Sequence, residues 1–506
     1  MLLIKSKYNI ALFLLSFPLV LSISCSKKIN DDSAGTVLAK VGTRIITVED
    51  FIRRTEYSIR PNYCAGTTNI HKKIVLNSLI AEKLLALEEF NNSALDTNKI
   101  FQMYLRGQKE QAMRQILFFE QAVQKVDIDQ SEIVQAAQLA LAKYQVEFIS
   151  LKDSSQLNVL ISQLKEGKSI QSIYFDITGE KDLPQKELSW FSTDDPRLHQ
   201  ALYSEPLEVG DILEPIQTSN GNILFIKIVD KMENVILSVN DFNKHQNDVF
   251  EQLKIRKSNK KYESLAGEVM KGMRLQLNDP VFIQYAEMSA DQYFQDIEDK
   301  KNILNSRVWE LDKNRNGNLN NENIELIMED VLFTLNDKEW TVDDLENYIL
   351  RHPLLFRKKK IGYSEYPEQL KLAIADLIRD YFLTEKSYEL GYDKSHSVIQ
   401  YVELWQDHFL SRQHRNEYLL QSGILSEDSE PDLLRIVDHY LQPLIDSLQV
   451  KYSANIEIDM ELFDELEMTS IPAFATRTNM PYPSLVPTFP MLTADHKIDY
   501  GKLRKN

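Results

Sequence analysis

Polar and apolar residues alternate from Tyr144 to Leu151, and an apolar run from Asn222 to Ile228 answers it seventy-odd positions later. Both read as strands. Between them, Leu157, Leu160, Ile161 and Leu164 have helical spacing, and a shorter helix runs through Leu198, Ala201, Leu202 and Tyr203. Strand, helices, strand within one short stretch predicts a small α+β unit. Most other apolar positions recur at i, i+3, i+4 and i+7, so the chain as a whole is expected to be mainly helical.

One pattern occurs twice. Residues 37–51 align without a gap on residues 331–345: a strand, a turn (Gly42-Thr43 or Asn336-Asp337), a second short strand and a helix start. Thr47 and Thr341 are good N-caps, each followed by acidic residues in the first turn. Leu76, Leu79, Ile80 and Leu84 match Ile374, Leu377, Ile378 and Phe382 in spacing. Each copy closes with a long helix and a strand, over residues 241–277 and 433–458. The copies differ in the middle, where the first is longer by about the size of the α+β unit. The unit is therefore expected to be an insertion in the first of two similar helical lobes.

The N-terminus changes the picture. Lys5 and Lys7 precede an apolar run over residues 11–21 that is short for a membrane span. The run leads into Cys25, and a cysteine there resembles the end of a bacterial lipoprotein signal, which implies acylation of that thiol. With Cys25 acylated, Cys64 is left as the one thiol and no internal disulfide can form. The expected layout is a signal (1–24), a tether (25–36), a first lobe (37–142 and 233–290), the insertion (143–232), a linker (291–329), a second lobe (330–467) and a Pro-rich tail (468–506), extended or disordered. A net charge of −17 argues against a nucleic-acid partner, since phosphates need a basic face.

Several segments of the insertion resemble the parvulin-type peptidyl-prolyl isomerases: Gly210 to Thr218 with Pro215, the helix end Leu164-Lys-Glu-Gly-Lys-Ser-Ile170, and Leu188-Ser-Trp190. The whole layout, residues 37–464, resembles the periplasmic chaperone-foldases of the SurA and PrsA kind, in which a helical lobe carries a parvulin domain. The resemblance implies an envelope location, unfolded secreted or outer-membrane proteins as partners, and no cofactor. It also implies a histidine on each of two central strands, an acidic or thiol group beside them, and Met and Phe around the proline ring. In this chain the two histidine positions fall on Phe148 and Leu224, the methionine position on Asp194 and the ring-binding aromatic position on Leu198. Three of the four are apolar, so the expected unit is weak or inactive as an isomerase.

The rival readings are an active isomerase and a glycan-binding or scaffolding surface lipoprotein; four Trp and 15 Gly argue against the glycan reading. Residues 162–169 do not make a P-loop, and no zinc or serine-hydrolase motif occurs. A near-match to an EF-hand offers Asp312, Asn314, Asn316 and Asn318. It has Asn323 where the bidentate carboxylate belongs, so no specific calcium site is expected. Client-binding candidates are aromatic residues of the lobes: Phe51, Tyr63, Phe118, Tyr348, Phe356 and Trp405. At helical spacing their simplest alternative role is core packing.

Overall fold

The computed structural model describes residues 35–89, 98–151, 154–219, 221–305, 322–358, 360–424, 433–470, 481–482 and 485–504. Cys25 and the Asp312, Asn314, Asn316, Asn318 loop lie outside the described residues.

The chain opens with a hairpin, β1 (Val37–Val41) and β2 (Arg44–Thr47), that feeds α1 (Val48–Glu56). The Thr47 hydroxyl accepts the Asp50 amide at 3.0 Å, and the Asp50 carboxylate accepts the Thr47 amide at 3.1 Å. Two otherwise orphan donors are thus satisfied reciprocally. Helix α2 (Asn69–Glu89) is buried on nearly every side, including its polar Asn77, Ser78, Glu82 and Lys83. A helix enclosed that way is a central element rather than a surface one. Helix α3 (Lys99–Gln121) passes so close to the main chain at Arg351 that a Cβ on Gly107 would meet its carbonyl oxygen at 2.1 Å. Helix α4 (Gln130–Leu139), capped by Asp129, leads into the next sheet.

That sheet contains β3 (Ala142–Leu151), β4 (Gln185–Ser189), β5 (Ile216–Gln217) and β6 (Ile223–Glu233) in the order β4-β3-β6-β5, with every neighbouring pair antiparallel. Period two sends Ile149, Leu151, Ile223 and Phe225 to one face, under α5 (Ser154–Lys165) and α6 (Ile170–Thr178). Tyr144, Val146, Ile226 and Ile228 point to the other face, under α7 (Pro196–Tyr203) and against α4 and α8 (Val239–Val269). Ala142 and Glu233 are register partners, so the chain enters and leaves this unit at one point.

After α8 come β7 (Leu275–Leu277), α9 (Asp279–Asn305), α10 (Glu322–Glu325), β8 (Val331–Leu335), β9 (Lys338–Thr341) and α11 (Val342–Ile349). Thr341 and Asp344 repeat the reciprocal cap of Thr47 and Asp50, at 3.0 and 3.1 Å. Helices α12 (Tyr366–Glu389) and α13 (His396–Gln421) follow. The last part holds α14 (Leu433–Ile436), α15 (Gln442–Lys451), β10 (Ile456–Asp459), α16 (Met460–Glu465) and β11 (Lys502–Arg504). Between α14 and α15 the turn widens to a π-helix over Val437–Leu441. Pro443 comes two residues after its end, and its missing N–H and bulky ring account for the loosened turn. The fold is α+β and mainly helical, as the periodicity predicts.

Two expectations need correcting. Neither hairpin is closed by the strand expected to end its own copy of the pattern. β1 pairs with β10 (Ala39 opposite Ile458), and β7 pairs with β8 (Leu277 opposite Phe333). The reason lies in α8: its 31 residues carry the chain about 45 Å, at 1.5 Å per residue, before β7 begins. The second correction concerns the tail, whose described residues are extended but not loose. Phe489, Leu492 and Tyr500 are buried in the core of the β1-β2 sheet, and β11 runs parallel to β10.

Three further cores lie outside the four-stranded unit of β3 to β6. One holds β1, β2, α1, α2, α15 and β10. A second gathers Phe282, Tyr285, Phe333, Trp340, Leu345 and Leu370 from α9 to α12. A third joins α3, α8 and α13 through Met113, Leu117, Tyr262 and Trp405.

Candidate functional site

β3 and β6 are the two central strands of their sheet, and they carry Phe148 and Leu224. Register places Phe148 opposite Ile226 and Leu224 opposite Ser150, so both side chains share a face. Leu198 reaches the same face from α7. Asp195 sets that helix: it accepts the Arg197 and Leu198 amides at 3.0 and 3.1 Å, and Pro196 opens the first turn. Its second oxygen accepts the Ser219 amide at 2.7 Å and the Ser219 hydroxyl at 2.5 Å, tying α7 to the turn before β6. From the connection between α11 and α12, Arg357 grips the same turn. It donates to the Ser219 carbonyl at 2.9 Å and holds Asp376 with two bonds of 2.8 Å.

The structure therefore brings Phe148, Leu198 and Leu224 to one core as a half-buried apolar patch, the candidate cup. The nearby Ser150 hydroxyl is engaged by the Asn222 amide at 3.3 Å. Asp194 is exposed and does not join the cup; its charge acts on Arg256 of α8 instead. Rotating an amide means crossing a barrier of about 18–20 kcal/mol. An apolar cup can grip a proline ring, but Phe148 and Leu224 can neither donate to nor accept from the twisting amide.

A denser cluster lies behind the cup and is invisible in the sequence. His199 stacks edge-on to Trp190 at 4.4 Å and lies 4.9 Å from Tyr203, which is 5.6 Å from Tyr144. The Tyr203 hydroxyl donates to the carbonyls of Ala142 and Leu188 at 3.3 Å. Arg256 donates to the Thr193 carbonyl at 3.0 Å, locking the unit onto α8. Burial, with the Arg256 cation beside it, pushes His199 down to about 3, so it is neutral at pH 7. Nine histidines scattered along 506 residues carry no spacing signal, and the one hint is the i, i+3, i+4 recurrence of His199, Leu202 and Tyr203. The cluster packs the interior and offers no open face.

The aromatic client-binding candidates do not line a cradle. Phe51 is fully buried, edge-on to Phe463 at 6.3 Å. Phe118 is buried against Tyr262, Tyr348 against Trp340 and Tyr381, and Trp405 against Tyr104 and Phe409. Tyr63 and Phe356 are half-buried against the same cores. Their helical spacing is core spacing. Exposed apolar side chains gather elsewhere: Val235, Leu237, Val239 and Phe242 along the connection from β6 into α8, with Leu237 at 89 % exposure. Phe191 joins them, half-exposed, its ring 6.1 Å from His245 on α8. A cavity of about 650 Å³ lies between the start of α2 and the chain after α16, lined by Thr67, Lys72, Asp464 and Leu466 among others. No residue of the cup lines it. Among the described residues no group of His, Cys, Asp and Glu is arranged to hold a metal ion.

No family model matches this chain, and no curated protein matches it. Among solved structures it is similar to the peptidylprolyl isomerase PrsA from Bacillus cereus, at 16% sequence identity over 45% of this chain and 87% of that one. The TM-score is 0.19, too low to transfer a fold or a site.

Proposed function

We propose that this protein is an envelope-anchored holding chaperone for unfolded polypeptides, with a parvulin-like unit that grips apolar segments without isomerising X-Pro bonds. The supporting observation is the composition of the cup. Its two central strands carry Phe148 and Leu224 where the parvulin resemblance calls for histidines. We read the two capped hairpins as a duplicated lobe, with residues 143–232 as an insertion into the first copy. Exposed Val235, Leu237, Val239 and Phe242 supply the apolar strip that an unfolded chain would cover.

The test compares the intact protein with a version in which residues 143–232 are replaced by a short linker, which the adjacency of Ala142 and Glu233 permits. The intact protein should suppress aggregation of an unfolded outer-membrane protein. It should leave the rate of a proline tetrapeptide, on the order of tens of seconds uncatalysed, at background. The shortened protein should keep part of the holding activity through the lobes. Catalysis well above background by the intact protein, or deletion that abolishes holding, refutes the reading.

A further inference from the structure

The C-terminal tail lies in the lobe as a bound peptide would. Between Leu485 and Lys497 the described backbone has no helix or strand, and no main-chain ladder joins it to the lobe. Side chains of the lobe hold it instead, by its carbonyls. Tyr401 donates to the Leu485 carbonyl at 2.9 Å, Arg54 to Thr488 at 2.8 Å and Ser78 to Thr493 at 3.4 Å. The Asn77 amide donates to both Asp495 and Lys497, at 2.8 and 2.9 Å. Two apolar anchors, Phe489 and Leu492, fill the space between these contacts.

Three features separate this arrangement from ordinary core packing. Every peptide residue has a carbonyl, proline included, so donors aimed at carbonyls read an extended chain with little regard to sequence. Pro487 and Pro490 are buried in the contact, and the floor asks no N–H of either. Third, the floor's charges are already paired beneath the tail. Arg54 makes two bonds to Glu82, at 2.9 and 3.0 Å, and the His408 ring meets Glu82 at 2.9 Å. Removing the tail would therefore uncover a paired, polar floor rather than stranded charges.

We propose that the cleft floored by Arg54, Asn77, Ser78, Tyr401 and His408 is a binding site for extended, proline-containing polypeptide. The chain's own residues 485–497 occupy it as an internal ligand. This deepens the holding-chaperone reading and rests on it for the identity of the displacing ligand: an unfolded chain with an aromatic or aliphatic anchor near a proline. A tail that fills the site most of the time lowers the apparent affinity for any competitor by the fraction left open, about tenfold when nine sites in ten are filled.

The experiment uses the full chain with a protease site replacing residues 474–479, cut after purification, and a labelled peptide of residues 481–500 as the probe. Circular dichroism follows folding and fluorescence anisotropy follows binding. The cut protein should stay folded, exchange its tail for the probe, and bind an unfolded client about tenfold more tightly than the uncut protein. The uncut double variant Phe489→Ala, Leu492→Ala should move in the same direction. Failure of the probe to exchange overnight, unfolding as the tail leaves, or exchange with unchanged client affinity would each overturn the proposal. Anisotropy scores the cleft even if neither form suppresses aggregation, so failure of the chaperone reading is seen separately.

Discussion

Glu82 shows how single residues set the character of the lobe. It is buried with Arg54 between α1 and α2, where a carboxylate would ordinarily protonate. Burial works against its charge, but the Arg54 guanidinium and the His408 ring overcome burial and hold it at about 2, below its ordinary 4.5. Burial also depresses His408, with Glu82 pulling the other way, and Arg54 supplies the permanent charge beside the carboxylate. A carboxyl depressed on folding contributes stability that is full above its unfolded value and is lost as pH falls through its folded one. The window is therefore pH 4.5 down to about 2, and the drop corresponds to on the order of 3 kcal/mol. Glu82→Gln should cost about 3–5 kcal/mol at pH 7, because Arg54 is left buried and unpaired. The gap to the parent should narrow between pH 4.5 and 2.5, measured by urea unfolding at each pH. Glu110, also held at about 2, titrates in the same window in both proteins, so the difference between them is the informative quantity. An unchanged gap at low pH would mean that Glu82 carries no charge in the folded protein. None of this is legible in the sequence, where Arg54, Glu82 and His408 are three ordinary polar residues hundreds of positions apart at the extremes.

At the scale of elements, periodicity performed well wherever the decision was local. The strand read over 144–151 is β3, the helix through Leu157 and Leu164 is α5, and both threonine caps form with acidic partners three residues on. It failed where the decision was a choice between equals. Leu275 and Leu277 present the same kind of short apolar edge as Ile456 and Ile458, so the pattern alone leaves either strand able to close either hairpin. Cysteine pairs can read the outcome. Lys40 and Glu457 are register partners, and opposed Cα atoms in such a pair lie about 4.5–5.5 Å apart, within disulfide reach. In a chain carrying Cys25→Ser, Lys40→Cys with Glu457→Cys should cross-link under mild oxidation, scored by mobility on a non-reducing gel. Lys40→Cys with Gln276→Cys should not. The opposite result would return each strand to its own lobe.

At the scale of the whole molecule, the lobes, the unit of residues 142–233 and the tail are held together by contacts between distant parts of the chain. Arg357 reaches the Ser219 turn, Arg256 reaches the loop before α7, and the last residues reach the first hairpin's core. A protein built that way is proposed to work tethered, with Cys25 acylated. Mass spectrometry of the mature N-terminus should find a lipidated Cys25, and Cys25→Ala should release the protein from the membrane fraction. A free N-terminus beyond Cys25, or attachment that survives the substitution, would refute the tether. By itself, the sequence determined what depends on neighbours along the chain: which stretches are strands and helices, where they are capped, and that Phe148, Leu198 and Leu224 bring no polar chemistry to their sheet. Only the tertiary structure decided what depends on free-energy differences between distant segments. It chose which strand closes which hairpin, put the lobe aromatics into cores, and laid the proline-rich tail in a cleft. An apolar residue is driven out of water in any direction with equal force, because burial has no address. The long helices, the close approach at Gly107 and the buried donors of α1, α2 and α13 supplied the address.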